Sequence, residues 1–155
     1  MTILKGKRGF TLLEVLIVVS IIIIIAGIAL PRFLGVSEQG KEARARGDLR
    51  VLQTAIESYI LNTNSIPADD TVVGAALEGA TPNIVSDYAT FKDPFSTNAA
   101  SAYKYFSKTN TTTGAKYYVF FSIGKDNTAG ITGIGTDGKL TGTAGDDIFV
   151  TNGKK

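Results

Sequence analysis

Between Phe10 and Leu30 the chain carries one charged residue, Glu14, in an otherwise uninterrupted run of Leu, Ile, Val and small residues. As a helix rising about 1.5 Å per residue, that run is roughly 31 Å long, the hydrocarbon thickness of a bilayer. Lys5, Lys7 and Arg8 precede it, and a basic cluster on the N-terminal side of a span is held in the cytoplasm. The bulk of the chain is therefore expected on the outer side of the membrane.

Three explanations of the run compete. A cleaved secretory signal needs a small-x-small exit, but the run ends in "AGIALPRF", where Ala26 and Ala29 lack that spacing and Pro31 obstructs a cut after Leu30. A plain anchor accounts for everything except Glu14. A carboxylate at membrane depth costs about 2.5 to 3.5 kcal/mol near the centre and less at the interface, so it is retained for a reason. In the third explanation the chain is cut before the run, after Gly9, which makes a new amine on Phe10. A cation at a helix start opposes the dipole, and a carboxylate one turn along a neighbouring subunit would neutralise it.

Composition excludes much else. The chain has no Cys and no His, which rules out disulfides, thiolate or imidazole zinc sites, and Ser-His-Asp or Cys-His catalysis. We expect no enzyme. Sixteen basic residues against 14 acidic ones give a formal charge of +2, and losing Lys5, Lys7 and Arg8 with a leader removes that excess. No nucleic-acid partner is expected.

Beyond the run, Pro31 removes an N–H and restricts Leu30, so the helix should bend, loosen or break there. Leu49, Leu52, Ile56, Tyr59 and Ile60 then recur at the helical period with Arg50, Gln53 and Glu57 between them, extending a second helical half over residues 33–62. Gly35, Gly40 and Gly47 weaken it. After the turn formers of "NTNSIPADD", Asp69 or Asp70 could cap a short helix through Val72, Val73, Ala76 and Leu77. "SAYKYF" and "AKYYVFFSI" read as strands joined by "SKTNTTTGA", with a third strand near Ile148 to Thr151. The aromatic group Tyr103, Tyr105, Tyr117, Tyr118, Phe120 and Phe121 is expected to pack the sheet. The fold class is α+β, a long helix packed on a small antiparallel sheet. The stretch from Ser122 to Ile148 is rich in Gly and Asp, and its Asp126, Asp137, Asp146 and Asp147 are candidates either for turn positions or for a hard-cation site.

"Gly9-Phe10-Thr11-Leu12-Leu13-Glu14-Val15", after a short basic leader and before a long apolar helix, resembles the cleavage and methylation motif of type IV pilins and type II secretion pseudopilins. The resemblance implies cleavage after Gly9 by a prepilin peptidase, N-methylation of Phe10, and pairing of Glu14 with the Phe10 amine of an adjacent subunit. Pro31 falls where many members have a helix-disturbing proline. "Lys92-Asp93-Pro94-Phe95", Tyr103 and Tyr105, "Ser122-Ile123-Gly124-Lys125-Asp126" and "Gly145-Asp146-Asp147-Ile148" follow the order of elements in major pseudopilins, with Phe95-Ser96 where that family has Trp-Gly. There the last two regions form a calcium loop. Carried over, Asp126 and Asp147 would be side-chain ligands, with Ser122 and Asp146 beside them.

The resemblance further implies a homopolymer assembled by an inner-membrane platform with minor pseudopilins. It also implies a single-pass inner-membrane precursor with its N-terminus cytoplasmic and its head periplasmic. The expected divisions are a leader over 1–9, a membrane and filament-core helix over 10–30, a soluble helical half over 31–62 and a head over 63–155. The function implied is that of a type II secretion pseudopilus subunit. The alternative is a type IV pilin for adhesion, motility or DNA uptake; a third class, a bitopic protein with a ligand-binding head, predicts an intact leader and no polymer.

Overall fold

The computed structural model describes residues 9–98 and 101–154, without the side chains of 31–34. The chain divides into two compact units, one through Glu38 and one from Gln39 onward. One helix, α1 (Leu12–Thr63), contributes to both. It carries on through Pro31, so the break expected there is not an end of the element. The physical reason is that proline's fixed φ suits a helix, and the missing N–H leaves only the Gly27 carbonyl without its helical donor.

In the first unit the apolar side chains from Leu12 to Leu30 are exposed along α1, and this stretch is long and apolar enough to cross a membrane. In the second unit, Ala45, Leu49, Leu52, Ala55 and Ile56 form a buried stripe on one face of α1, as the spacing predicted. Against it lies a three-stranded antiparallel sheet of order β1-β2-β5, made of Lys104–Thr109, Lys116–Ser122 and Ile148–Thr151. All three strands fall where the aromatic and β-branched residues placed them.

The sheet is covered on both sides. Tyr105, Tyr118 and Phe120 face α1, with Ile148 and Val150 packed beside them. Val119 and Phe121 face the other way, onto Ile131 and Ile134, with Phe106 and Phe149 alongside. This explains why Tyr118 to Ser122 is buried without alternation: a strand covered on both faces has no solvent side. The second cover is a hairpin, β3 (Ile131–Ile134) and β4 (Leu140–Gly142), within a stretch that the sequence presented only as a Gly-rich loop.

Polar ties fasten β2 and the residue just before β1 to the helix. The Tyr103 hydroxyl donates to Asp48 Oδ2 at 2.9 Å and the Tyr118 hydroxyl to Glu57 Oε1 at 2.7 Å. The short helix α2 (Val73–Glu78) has Val72 at its N-cap and no side-chain cap. Asp69 does not cap it as expected; its carboxylate instead accepts from the N–H and hydroxyl of Thr71, closing the turn just before the helix.

Candidate functional site

Gly9 and Phe10 precede α1 outside any helix or strand, both exposed. A Cβ built on Gly9 meets nothing within 4 Å, so packing in this chain does not require glycine there. Helix α1 opens with Thr11 as its N-cap. The Glu14 N–H donates to Thr11 Oγ1 at 3.2 Å, and the Val15 N–H donates to the Thr11 carbonyl at 3.3 Å. Thr11-x-x-Glu14 is the sequence pattern of a capping box, a signal present in the chain but masked by reading Glu14 only as a membrane-depth charge. The Glu14 carboxylate is exposed and has no partner among the described residues.

The C-terminal loop is organised by carboxylates that accept from backbone N–H groups. Asp146 Oδ2 takes the N–H of Lys125 and that of Asp126, the latter at 3.0 Å. These bonds hold its carboxyl below the usual range, Asp126 N–H contributing most. Asp147 Oδ2 takes the N–H groups of Gly130 at 2.9 Å and Ile131 at 2.8 Å, whereas its Oδ1 is buried without a partner. Burial pushes the Asp147 carboxyl up, and the charges of Asp146 and Asp126 add to the rise. Gly124 has φ +69°, and a Cβ there would lie 2.6 Å from the Asp146 carbonyl oxygen, so this close crossing requires glycine. Lys125 Nζ reaches Glu42 at 2.7 Å, tying the loop to α1 and lowering the Glu42 carboxyl.

Of the four expected ligands, Asp126, Asp146 and Asp147 are therefore drawn into one loop system, while the Ser122 hydroxyl is spent elsewhere. It donates to Asp93 Oδ1 at 2.7 Å. Among the described residues no three acidic side chains form a metal-binding group. Among the described residues Asp147 Oδ1 is the one buried carboxylate oxygen without a hydrogen-bond partner.

Sequence reasoning passed over Asp93 as a positioning residue. It is 5% exposed, and its carboxylate accepts from the Ser122 hydroxyl, from Ile123 N–H at 2.9 Å and from Phe95 N–H at 3.0 Å. The available signal was Asp93-Pro94: an Asp before Pro that turns the chain with its own side chain.

Residues 4–30 match the prokaryotic N-terminal methylation motif, and residues 32–151 match the family described as Type II secretion system (T2SS), protein G. The chain belongs to the type II secretion protein G family. Among curated relatives, the type II secretion system core protein G of Vibrio cholerae serotype O1 is 29% identical over 86% of this chain and 91% of its own length. That of Escherichia coli K12 is 30% identical over 53% of this chain and 57% of its own length. A fimbrial protein of Pseudomonas aeruginosa is 40% identical over 44% of each chain. The matched stretch thus spans little more than half of the Escherichia protein and nearly all of the Vibrio one. No solved structure matches the chain. The family is one of structural pseudopilins, and the methylation motif with one apolar N-terminal helix fits inner-membrane anchoring.

Proposed function

We propose that this chain is the major subunit of a type II secretion pseudopilus, cut after Gly9, methylated at Phe10, and polymerised into a fibre whose growth drives protein export. The observation that carries this reading is the continuity of the two family matches, from the motif at residues 4–30 through the head to residue 151. The chain does mechanical rather than catalytic work. Its precursor sits in the inner membrane with Lys5, Lys7 and Arg8 inside and the head outside, a reading supported by the charge asymmetry.

In this reading a prepilin peptidase and an inner-membrane assembly platform with minor pseudopilins are its partners. The apolar helices leave lipid for the fibre core. Leu12 to Leu30 exchanges lipid contact for protein contact, so association depends on close packing and on polar pairing rather than on a gain in apolar burial. The Glu14 carboxylate, without a partner among the described residues, supplies that pairing with the Phe10 amine of a neighbour.

Calcium belongs to the same proposal. The orphaned Asp147 Oδ1 is the feature that supports it, since a buried carboxylate oxygen without a donor is costly and a hard cation relieves it. Asp146 and Asp147 both line an open cleft of about 530 Å³, shared with Glu42, Arg46, Arg50 and Lys125.

A surface pilin is the second reading, favoured by the 40% identity to the Pseudomonas fimbrial protein. The two separate by quantifying the protein, at native expression, in sheared surface filaments and in the envelope, with its N-terminus read by mass spectrometry. Mature methylated Phe10 retained in the envelope supports the pseudopilus. The same terminus abundant in the sheared fraction makes it a pilus, and an uncut leader overturns both.

A further inference from the structure

We infer that Thr11 is a positioning residue for assembly: its hydroxyl locks the first turn of α1 and so fixes where the unpartnered Glu14 carboxylate stands. The inference rests on the pseudopilin reading above and concerns the same N-terminal site. Its geometry is the pair of bonds at the helix start, Glu14 N–H to Thr11 Oγ1 and Val15 N–H to the Thr11 carbonyl.

Cleavage after Gly9 makes this lock necessary. The mature chain then begins at Phe10, so a positive amine lies one residue before the N-cap, against the positive end of the helix dipole. That amine weakens the first turn of its own helix. In a fibre core, water that would satisfy frayed N–H groups is excluded, so an uncapped turn is penalised further. Thr11 meets both difficulties with one hydroxyl. It satisfies the Glu14 N–H, and it holds residues 12–15 in helical register so that the carboxylate projects from a fixed point.

Glu14 cannot do this alone. Its side chain makes no bond within the described residues, and one that turned back onto its own Thr11 N–H would be lost to a neighbour's amine. The division of labour is that Thr11 serves the helix and Glu14 serves the next subunit. Any good N-cap at position 11 should therefore suffice, whereas a side chain of equal shape without an acceptor should not.

The test is to express Thr11→Val, Thr11→Ser and Thr11→Asn beside the unaltered chain in the native host, measuring the assembled fraction and the mass of the N-terminus. Loss of a cap predicts an assembled fraction about fivefold lower for Thr11→Val. Thr11→Ser and Thr11→Asn should stay near the unaltered level, and all three variants should be cut and methylated normally. Assembly of Thr11→Val at the normal level overturns the inference, and so does a fall of the Ser and Asn variants together with Val. An uncut Thr11→Val chain also overturns it, because residue 11 would then act in the peptidase. If the unaltered chain is processed but never assembles, the pseudopilin reading itself fails and this inference goes with it.

Discussion

Replacing Asp93 by Ala should destabilise the head more than any surface change and should do so in steps that the geometry sets. Its carboxylate accepts from three donors, the Ser122 hydroxyl, Ile123 N–H and Phe95 N–H. Ser122 is fully buried and Asp93 itself is 5% exposed, so water cannot readily take over. Each orphaned buried donor costs about 1 to 3 kcal/mol. With some relaxation around the smaller Ala, we expect a total near 4 kcal/mol, a large part of the roughly 5 to 15 kcal/mol of a typical domain. Asp93→Asn keeps Oδ1 for Phe95 N–H and the Ser122 hydroxyl but turns an NH₂ toward Ile123 N–H. It should cost about 1 to 2 kcal/mol, one donor lost instead of three. Urea and thermal melts of a fragment spanning 39–155, the second compact unit, measure both, at roughly 4 °C per kcal/mol. Equal melts for the Ala and Asn variants, or an Ala variant within about 1 kcal/mol of the parent, would refute the claim that this carboxylate organises the start of the loop.

Glu14→Ala should leave cleavage after Gly9 intact while fibre assembly falls, and normal fibres from that variant would remove the pairing role. Addition of a calcium chelator should lower the melting temperature of the same head fragment, and Asp147→Asn should abolish that sensitivity while costing little stability in chelator; an unchanged melt retires the cation. Tyr118→Phe should cost about 1.5 kcal/mol, the lower end for a bond to a charged acceptor, because Glu57 is exposed and retains its bond from Gln53. A loss above about 3 kcal/mol would mean that Tyr118 does more than tie the sheet to α1.

The parts of the fold legible in the sequence were those carried by period and by bulk. The stripe through Leu49, Leu52 and Ile56 repeats at the helical spacing, and the aromatic strands β1 and β2 are dense enough to stand out. The hairpin of β3 and β4 was not legible. Seven of the twelve residues of "ITGIGTDGKLTG" are Gly or Thr, its strands are four and three residues long, and what fixes them is distant: Val119 and Phe121 supply the surface onto which Ile131 and Ile134 fold. A clue lay in β2, whose unbroken "YYVFF" is too apolar for a strand with one wet face and so implied a second layer. At the N-terminal site the motif from Gly9 to Glu14 was plain, but the partnership of Thr11 with the Glu14 N–H was hidden by the question of the charge. At the loop, the acids were found and their use was not. Asp146 and Asp147 accept from backbone N–H groups, and which donors meet them depends on a crossing at Gly124 that no local pattern announces.

The two outer strands of the head have one more consequence. Beside β1, the segment holding Pro67 and Asp69 lies against the strand: Asp69 bridges Phe106, and the Pro67 carbonyl accepts from Ser107 Oγ and the Tyr105 hydroxyl. Just past β5, Lys154 is pinned to the hairpin through Gly138 and Leu140. Bare strand edges invite open-ended stacking into amyloid-like sheets. The segment from Pro67 to Asp69 therefore does more than pack against β1: it leaves less of that margin free for another sheet to extend.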